Sequence, residues 1–124
     1  MRYALAFLAA FIVGTAALAE THSHGEKGPK GGPMEDVAGL HAELLASGNT
    51  ITVYIYDEKV KPIPTKGFSG SALVTRGKDR ETIKLEAADD NTLRGDVKMA
   101  VKGATIAVTL RTAAGKSGQA RFRP

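Results

Sequence analysis

Ile51-Thr52-Val53-Tyr54-Ile55-Tyr56 alternates β-branched apolar residues with Thr and Tyr. In an extended chain this period of two sends Ile51, Val53 and Ile55 to one face and Thr52, Tyr54 and Tyr56 to the other. A helix would scatter the same residues around its circumference. The segment therefore reads as a strand with one buried face, and the same grammar recurs on both sides of it. Ile83 and Leu85 oppose Thr82, Lys84 and Glu86; Ile106, Val108 and Leu110 oppose Thr105, Ala107, Thr109 and Arg111; Ala120 and Phe122 close the apolar set.

Seven runs of this kind are expected: Leu40 to Ala46, Ile51 to Tyr56, Ser71 to Arg76, Thr82 to Ala87, Thr92 to Met99, Thr105 to Arg111 and Gln119 to Arg123. Between them lie residues that tolerate turn geometry: Ser47-Gly48-Asn49, the Pro62 and Pro64 loop ending at Gly67, Gly77-Lys78-Asp79, Asp89-Asp90-Asn91, Lys102-Gly103 and Gly115-Lys116-Ser117-Gly118. No segment of helix length and period separates the strands, which argues against a doubly wound α/β fold. The pattern predicts an all-β, immunoglobulin-like antiparallel β-sandwich of about seven strands over residues 37–124.

Upstream, the character changes twice. Arg2 with the apolar Tyr3 to Val13 and the small-x-small Ala17-Leu18-Ala19 has the layout of a secretory signal peptide over residues 1–19, with cleavage leaving Glu20 first. The alternative, an uncleaved anchor, needs about 17 residues or more, and Tyr3 to Ala19 reaches only that limit and includes Gly14 and Thr15. Residues 20–36 then open with Glu20 to Pro33, ETHSHGEKGPKGGP, which contains no apolar side chain other than proline and is expected to be a flexible tail. The expected mature form is soluble and periplasmic, touching the membrane only through the signal peptide before its removal.

The chain has no cysteine, which excludes disulfides, thiolate metal sites, a cysteine nucleophile and a lipid-modified anchor. A mature chain of about 105 residues suits one domain resting on one modest core. Loss of Arg2 leaves 16 basic against 13 acidic side chains, a balance of +3 spread singly, which does not suggest a nucleic-acid partner.

Chemistry is sparse. Gly67-Phe68-Ser69-Gly70 superficially resembles a nucleophile elbow, but its spacing is wrong and no strand-to-helix turn accompanies it. Asp89-Asp90 reads as part of a hairpin turn. No acid, base and nucleophile form a coherent set, so no enzyme is expected.

The histidines are more informative. His22 and His24 lie within THSHGE, where a flexible His-x-His pair chelates without a prior fold, unless the segment is simply polar tail. With Glu20 first, Glu20-Thr21-His22 puts a histidine third from a free amine. The amine, two amides and the imidazole then supply four nitrogens in a plane, suited to Cu(II) or Ni(II) rather than tetrahedral zinc. His41 and Glu43 share the strand face opposite Leu40, Ala42 and Leu44 and form a second candidate ligand pair, the alternative being a partly exposed histidine beside a carboxylate. Met99, in a strand run, fits core filler better than a Cu(I) ligand, and Met34 stays open. The candidate metal residues are thus Glu20, Thr21, His22, His24, His41 and Glu43, the expected ligand a copper or nickel ion, with no organic cofactor.

Pro29-Lys30-Gly31-Gly32, Gly39-Leu40-His41-Ala42-Glu43-Leu44, Ile55-Tyr56-Asp57 with Lys61-Pro62, Gly67-Phe68-Ser69-Gly70, Leu85 through Asn91-Thr92-Leu93-Arg94-Gly95, and Ala120-Arg121-Phe122 together span nearly the whole mature chain. In these stretches the protein resembles a family of small periplasmic β-sandwich proteins of Gram-negative bacteria, with a Pro-His-Gly-Gly-type motif, associated with heavy-metal efflux systems. The resemblance implies a metal-associated periplasmic role and a possible efflux component as partner. Lys30 stands where the family motif often has histidine, so a site using that histidine would lack one ligand here unless His22 or His24 substitutes. The rival expectation is a non-catalytic structural or protein-interaction module that uses an exposed strand edge or loops, with the tail only a linker.

Overall fold

The computed structural model describes residues 26–124. The expected signal peptide and Glu20, Thr21, His22 and His24 lie outside the described residues. Eight antiparallel strands are present: β1 (Met34–Val37), β2 (Leu40–Ser47), β3 (Thr50–Tyr56), β4 (Ser69–Arg76), β5 (Asp79–Ala87), β6 (Thr92–Asp96), β7 (Thr105–Arg111) and β8 (Ser117–Phe122). They hydrogen-bond in the order β1-β2-β3-β6-β5-β4-β7-β8, one continuous sheet.

The antiparallel all-β expectation holds, but the two separate sheets of an immunoglobulin-like sandwich are replaced by a single sheet curled into a nearly closed barrel. The bend sits at β5 and β6, which share only the pairs Glu86↔Arg94 and Ala87↔Leu93 before they diverge. Gly95 allows this departure, because a Cβ there would lie 2.5 Å from the Lys84 carbonyl oxygen. The half made of β1, β2, β3 and β6 folds over the half made of β5, β4, β7 and β8, and side chains from both enter one core. Ile51, Val53, Ile55, Leu85, Ile106, Val108 and Leu110 are all fully buried in it, on the faces read from the alternation. The curl ends with β8 against β1: Gly118 lies so close to Ala38 in the β1–β2 turn that a Cβ at 118 would fall 2.4 Å from the Ala38 nitrogen.

Several boundaries differ from expectation, and β4 and β5 begin two and three residues earlier than the alternation suggested, at Ser69 and Asp79. β1 begins at Met34, inside the segment expected to be a flexible tail, and the described residues before it pack as a small hairpin bridged at Lys27 and Pro33. β6 ends at Asp96 rather than Met99, because Glu81 accepts hydrogen bonds from the Lys98 and Met99 backbone N–H groups and turns the chain aside. β8 spans Ser117–Phe122, two residues earlier at its start than the alternation suggested.

The long β3–β4 connection is pinned in the same manner. Asp57 accepts from the backbone N–H groups of Lys59 and Lys61, and donation from Lys61 chiefly holds its carboxyl below the ordinary range. Buried Thr65 donates its hydroxyl 2.7 Å to the Thr92 carbonyl.

Candidate functional site

β2 carries the two candidate ligands that lie within the described residues. In the ladder with β1, His41 stands opposite Asp36 and Glu43 opposite Met34; in the ladder with β3, His41 faces Tyr56 and Glu43 faces Tyr54. Directly paired residues project to the same side of a sheet. His41, Glu43, Asp36, Met34, Tyr54 and Tyr56 therefore all leave the barrel on its outer surface, opposite the Ala42 and Leu44 face that fills the core. Sharing a face does not give them a shared role.

Glu43 is fully buried although its face is the outer one, because the hairpin of residues 26–34 folds back over it. Its carboxylate accepts from the Lys30 N–H at 2.9 and 3.2 Å, from the Gly32 N–H at 2.8 Å and from the Tyr56 hydroxyl at 2.8 Å. A carboxylate has about four lone-pair positions, so these three donors consume most of its capacity. Engaging a metal would orphan the two turn amides and the phenol in a buried place. Glu43 thus acts as the anchor for Gly28-Pro29-Lys30-Gly31-Gly32.

That anchoring explains the glycines of the run. A Cβ on Gly28 would lie 2.3 Å from the Glu43 side-chain carboxyl carbon, and one on Gly32 would lie 2.4 Å from the Leu44 carbonyl oxygen. Gly31 turns the chain with φ at 84°. Lys30 contributes its backbone N–H to Glu43 while its ammonium sits 5.5 Å from the centre of the Tyr54 ring, a cation–π contact. Tyr56 is 2% exposed, and burial first, then donation to Glu43, raises its phenol far above the ordinary value near 10.

His41 is placed differently. Its side chain is 27% exposed, and Nδ1 lies 2.6 Å from Oδ1 of Asp36, itself 74% exposed. With Nδ1–H donating to the carboxylate, Nε2 is the ring nitrogen with an available lone pair. Met34 is buried at 7% exposure under the hairpin, and Met99 packs partly buried against the core. Among the described residues no group of three or more His, Asp or Glu side chains is arranged to hold a metal ion. Ser69 and Ser71 lie on β4, in a strand and not at a strand-to-helix turn.

Tyr56 and the two turn amides are the members of this arrangement that the alternation alone did not single out. The crowding of four glycines into residues 25–32 fits a backbone that approaches another segment closely, but it does not say which side chain the turn covers. No family model, curated protein or solved structure matches the chain.

Proposed function

We propose that this is an exported periplasmic protein, without catalytic activity, that binds or buffers copper or nickel through the histidines of its N-terminal segment, as an accessory to heavy-metal efflux. The observation that carries this reading is the anchor at Glu43. The chain ahead of Glu26 departs from a point locked to the barrel by the Lys30 and Gly32 amides, beside the strands that carry Asp36 and His41. A short histidine-bearing segment on a rigid body suits capture and hand-over of a cation. Once Glu20 is the first residue, its amine, the next two amides and the His22 imidazole form a plane of four nitrogens for Cu(II) or Ni(II). The efflux association is drawn from the resemblance alone.

The test is a titration of Cu(II) and Ni(II) into the mature protein, with mass analysis to establish that Glu20 leads, and into a form truncated before Gly25. Submicromolar binding that is lost on truncation is the expected result. Binding no tighter than that of an unrelated polar protein would overturn the reading and leave the interaction module in its place.

A further inference from the structure

We propose that the outer face of β4 and β7 is a binding site for a phosphate monoester, held from opposite sides by the guanidinium groups of Arg80 on β5 and Arg121 on β8. The site belongs to the half of the barrel made of β5, β4, β7 and β8, whereas Glu43 and His41 belong to the other half. It goes beyond the metal-binding reading and does not rest on it.

Register brings these residues together. In the ladders joining β5, β4, β7 and β8, Thr82 pairs with Leu73, Leu73 with Ala107 and Ala107 with Arg121. In the next row of the same face, Arg80 pairs with Thr75 and Thr75 with Thr105. Directly paired residues project to one side of a sheet, and Ala72, Val74, Ile106, Val108 and Ala120 fill the core from the intervening positions, so both rows point outward. Neighbouring strands lie about 4.8 Å apart, which sets β5 and β8 about 14 Å from each other. Between them Thr75, Thr105 and Ala107 are half-buried and Leu73 is exposed, all shorter than arginine. The long side chains therefore stand as walls around a shallow floor, and the six residues line an open cavity of about 330 Å³.

The chemistry agrees with the geometry. Both charges in the lining are positive, and no carboxylate lines the cavity. Among the described residues neither guanidinium has an ion-pair partner; the exposed pair on β5 joins Lys84 to Glu86 at 3.6 Å instead. A guanidinium is a planar fork that grips two oxygens of one anion at once. A carboxylate has two oxygens, enough for a single fork. A phosphate monoester has three terminal oxygens and up to two negative charges, so two forks can hold it from opposite sides, with the Thr75 and Thr105 hydroxyls as further donors on the floor. Leu73, 37% exposed, supplies an apolar surface in the same cavity. A single exposed leucine needs no explanation by itself, but beside two unpaired guanidiniums it suits the carbon skeleton of an ester better than inorganic phosphate. The ligand class is thus a small phosphate monoester of the glycerol phosphate type, free or as the head group of a lipid.

Two probes carry the source of the phosphate: glycerol phosphate, titrated by calorimetry and NMR, and phosphatidylcholine vesicles containing phosphatidic acid, read by co-sedimentation. Each is applied to the mature protein, to Arg80→Gln and Arg121→Gln, and to Arg94→Gln, an exposed arginine on β6 outside the cavity. The Leu73 methyl and the Thr75 and Thr105 amide resonances of the wild type are expected to shift with glycerol phosphate, a readout that needs no variant to fold. Loss of either fork is expected to weaken binding about tenfold, while Arg94→Gln binds as the wild type does. Binding of the soluble ester supports a free ligand; binding of the phosphatidic acid vesicles alone, again weakened in both cavity variants, supports a lipid head group. Failure of both probes overturns the site, as does wild-type affinity in both cavity variants. Equal binding of succinate, or of phosphatidylglycerol vesicles of the same charge, overturns the assignment to a phosphate monoester.

Discussion

At the scale of single residues, Glu43 and Tyr56 carry the most consequence, because one buried carboxylate satisfies two backbone amides and a phenol. Glu43→Gln preserves shape but turns an amide NH2 toward those donors and removes the charge. It is expected to destabilise the protein by about 2–3 kcal/mol, read from the midpoint of urea unfolding. Tyr56 gives a pH signature. Its folded-state pKa lies above the unfolded value of about 10, so between the two the unfolded chain binds fewer protons and stability falls as pH rises. The contribution is complete below about pH 10 and is lost progressively above it. Unfolding midpoints of wild type and Tyr56→Phe followed into the alkaline range should therefore differ most at or below pH 10 and converge above it. Parallel curves would contradict the burial of the phenol against Glu43.

At the scale of elements, the strands with a clean period of two were legible and the remainder was not. β3 and β7 are read almost to the residue because Ile51, Val53, Ile55, Ile106, Val108 and Leu110 commit one face to the core. β1 was invisible, since Met34-Glu35-Asp36-Val37 is four residues long, does not alternate, and buries Met34 and Val37 on opposite faces. Its place comes from pairing with β2 and from the hairpin that covers Met34, both of which are tertiary effects. Alternation also identified the shared face of His41 and Glu43 while leaving their different neighbours unread. A glutamate looks the same in sequence whether water or a folded-back turn lies above it. The low-complexity appearance of Gly28-Pro29-Lys30-Gly31-Gly32 misleads for the same reason: glycine that signals freedom in a tail signals close approach once a partner backbone is near.

At the scale of the whole molecule, period two cannot distinguish a sheet that breaks in two from one that bends, because both offer an apolar face and a polar one. The difference lies in the brief β5–β6 ladder and in the seam where β8 meets the β1–β2 turn. Gly118→Ala tests that seam. The added methyl would meet the Ala38 backbone, which cannot swing aside as a side chain would, and a cost of about 1–3 kcal/mol is expected. The loss should appear as a lower melting temperature together with faster amide exchange in β1 and β8, and unchanged exchange there would mean that the seam does not close the barrel.

The hairpin held by Glu43 also has a consequence for solvent exchange. Residues 26–34 are tied to β2 through one buried carboxylate, so the hairpin cannot lift away without leaving that carboxylate and its donors unpaired. The backbone N–H groups of Lys30 and Gly32 should therefore exchange with solvent more slowly than those of an ordinary glycine-rich turn.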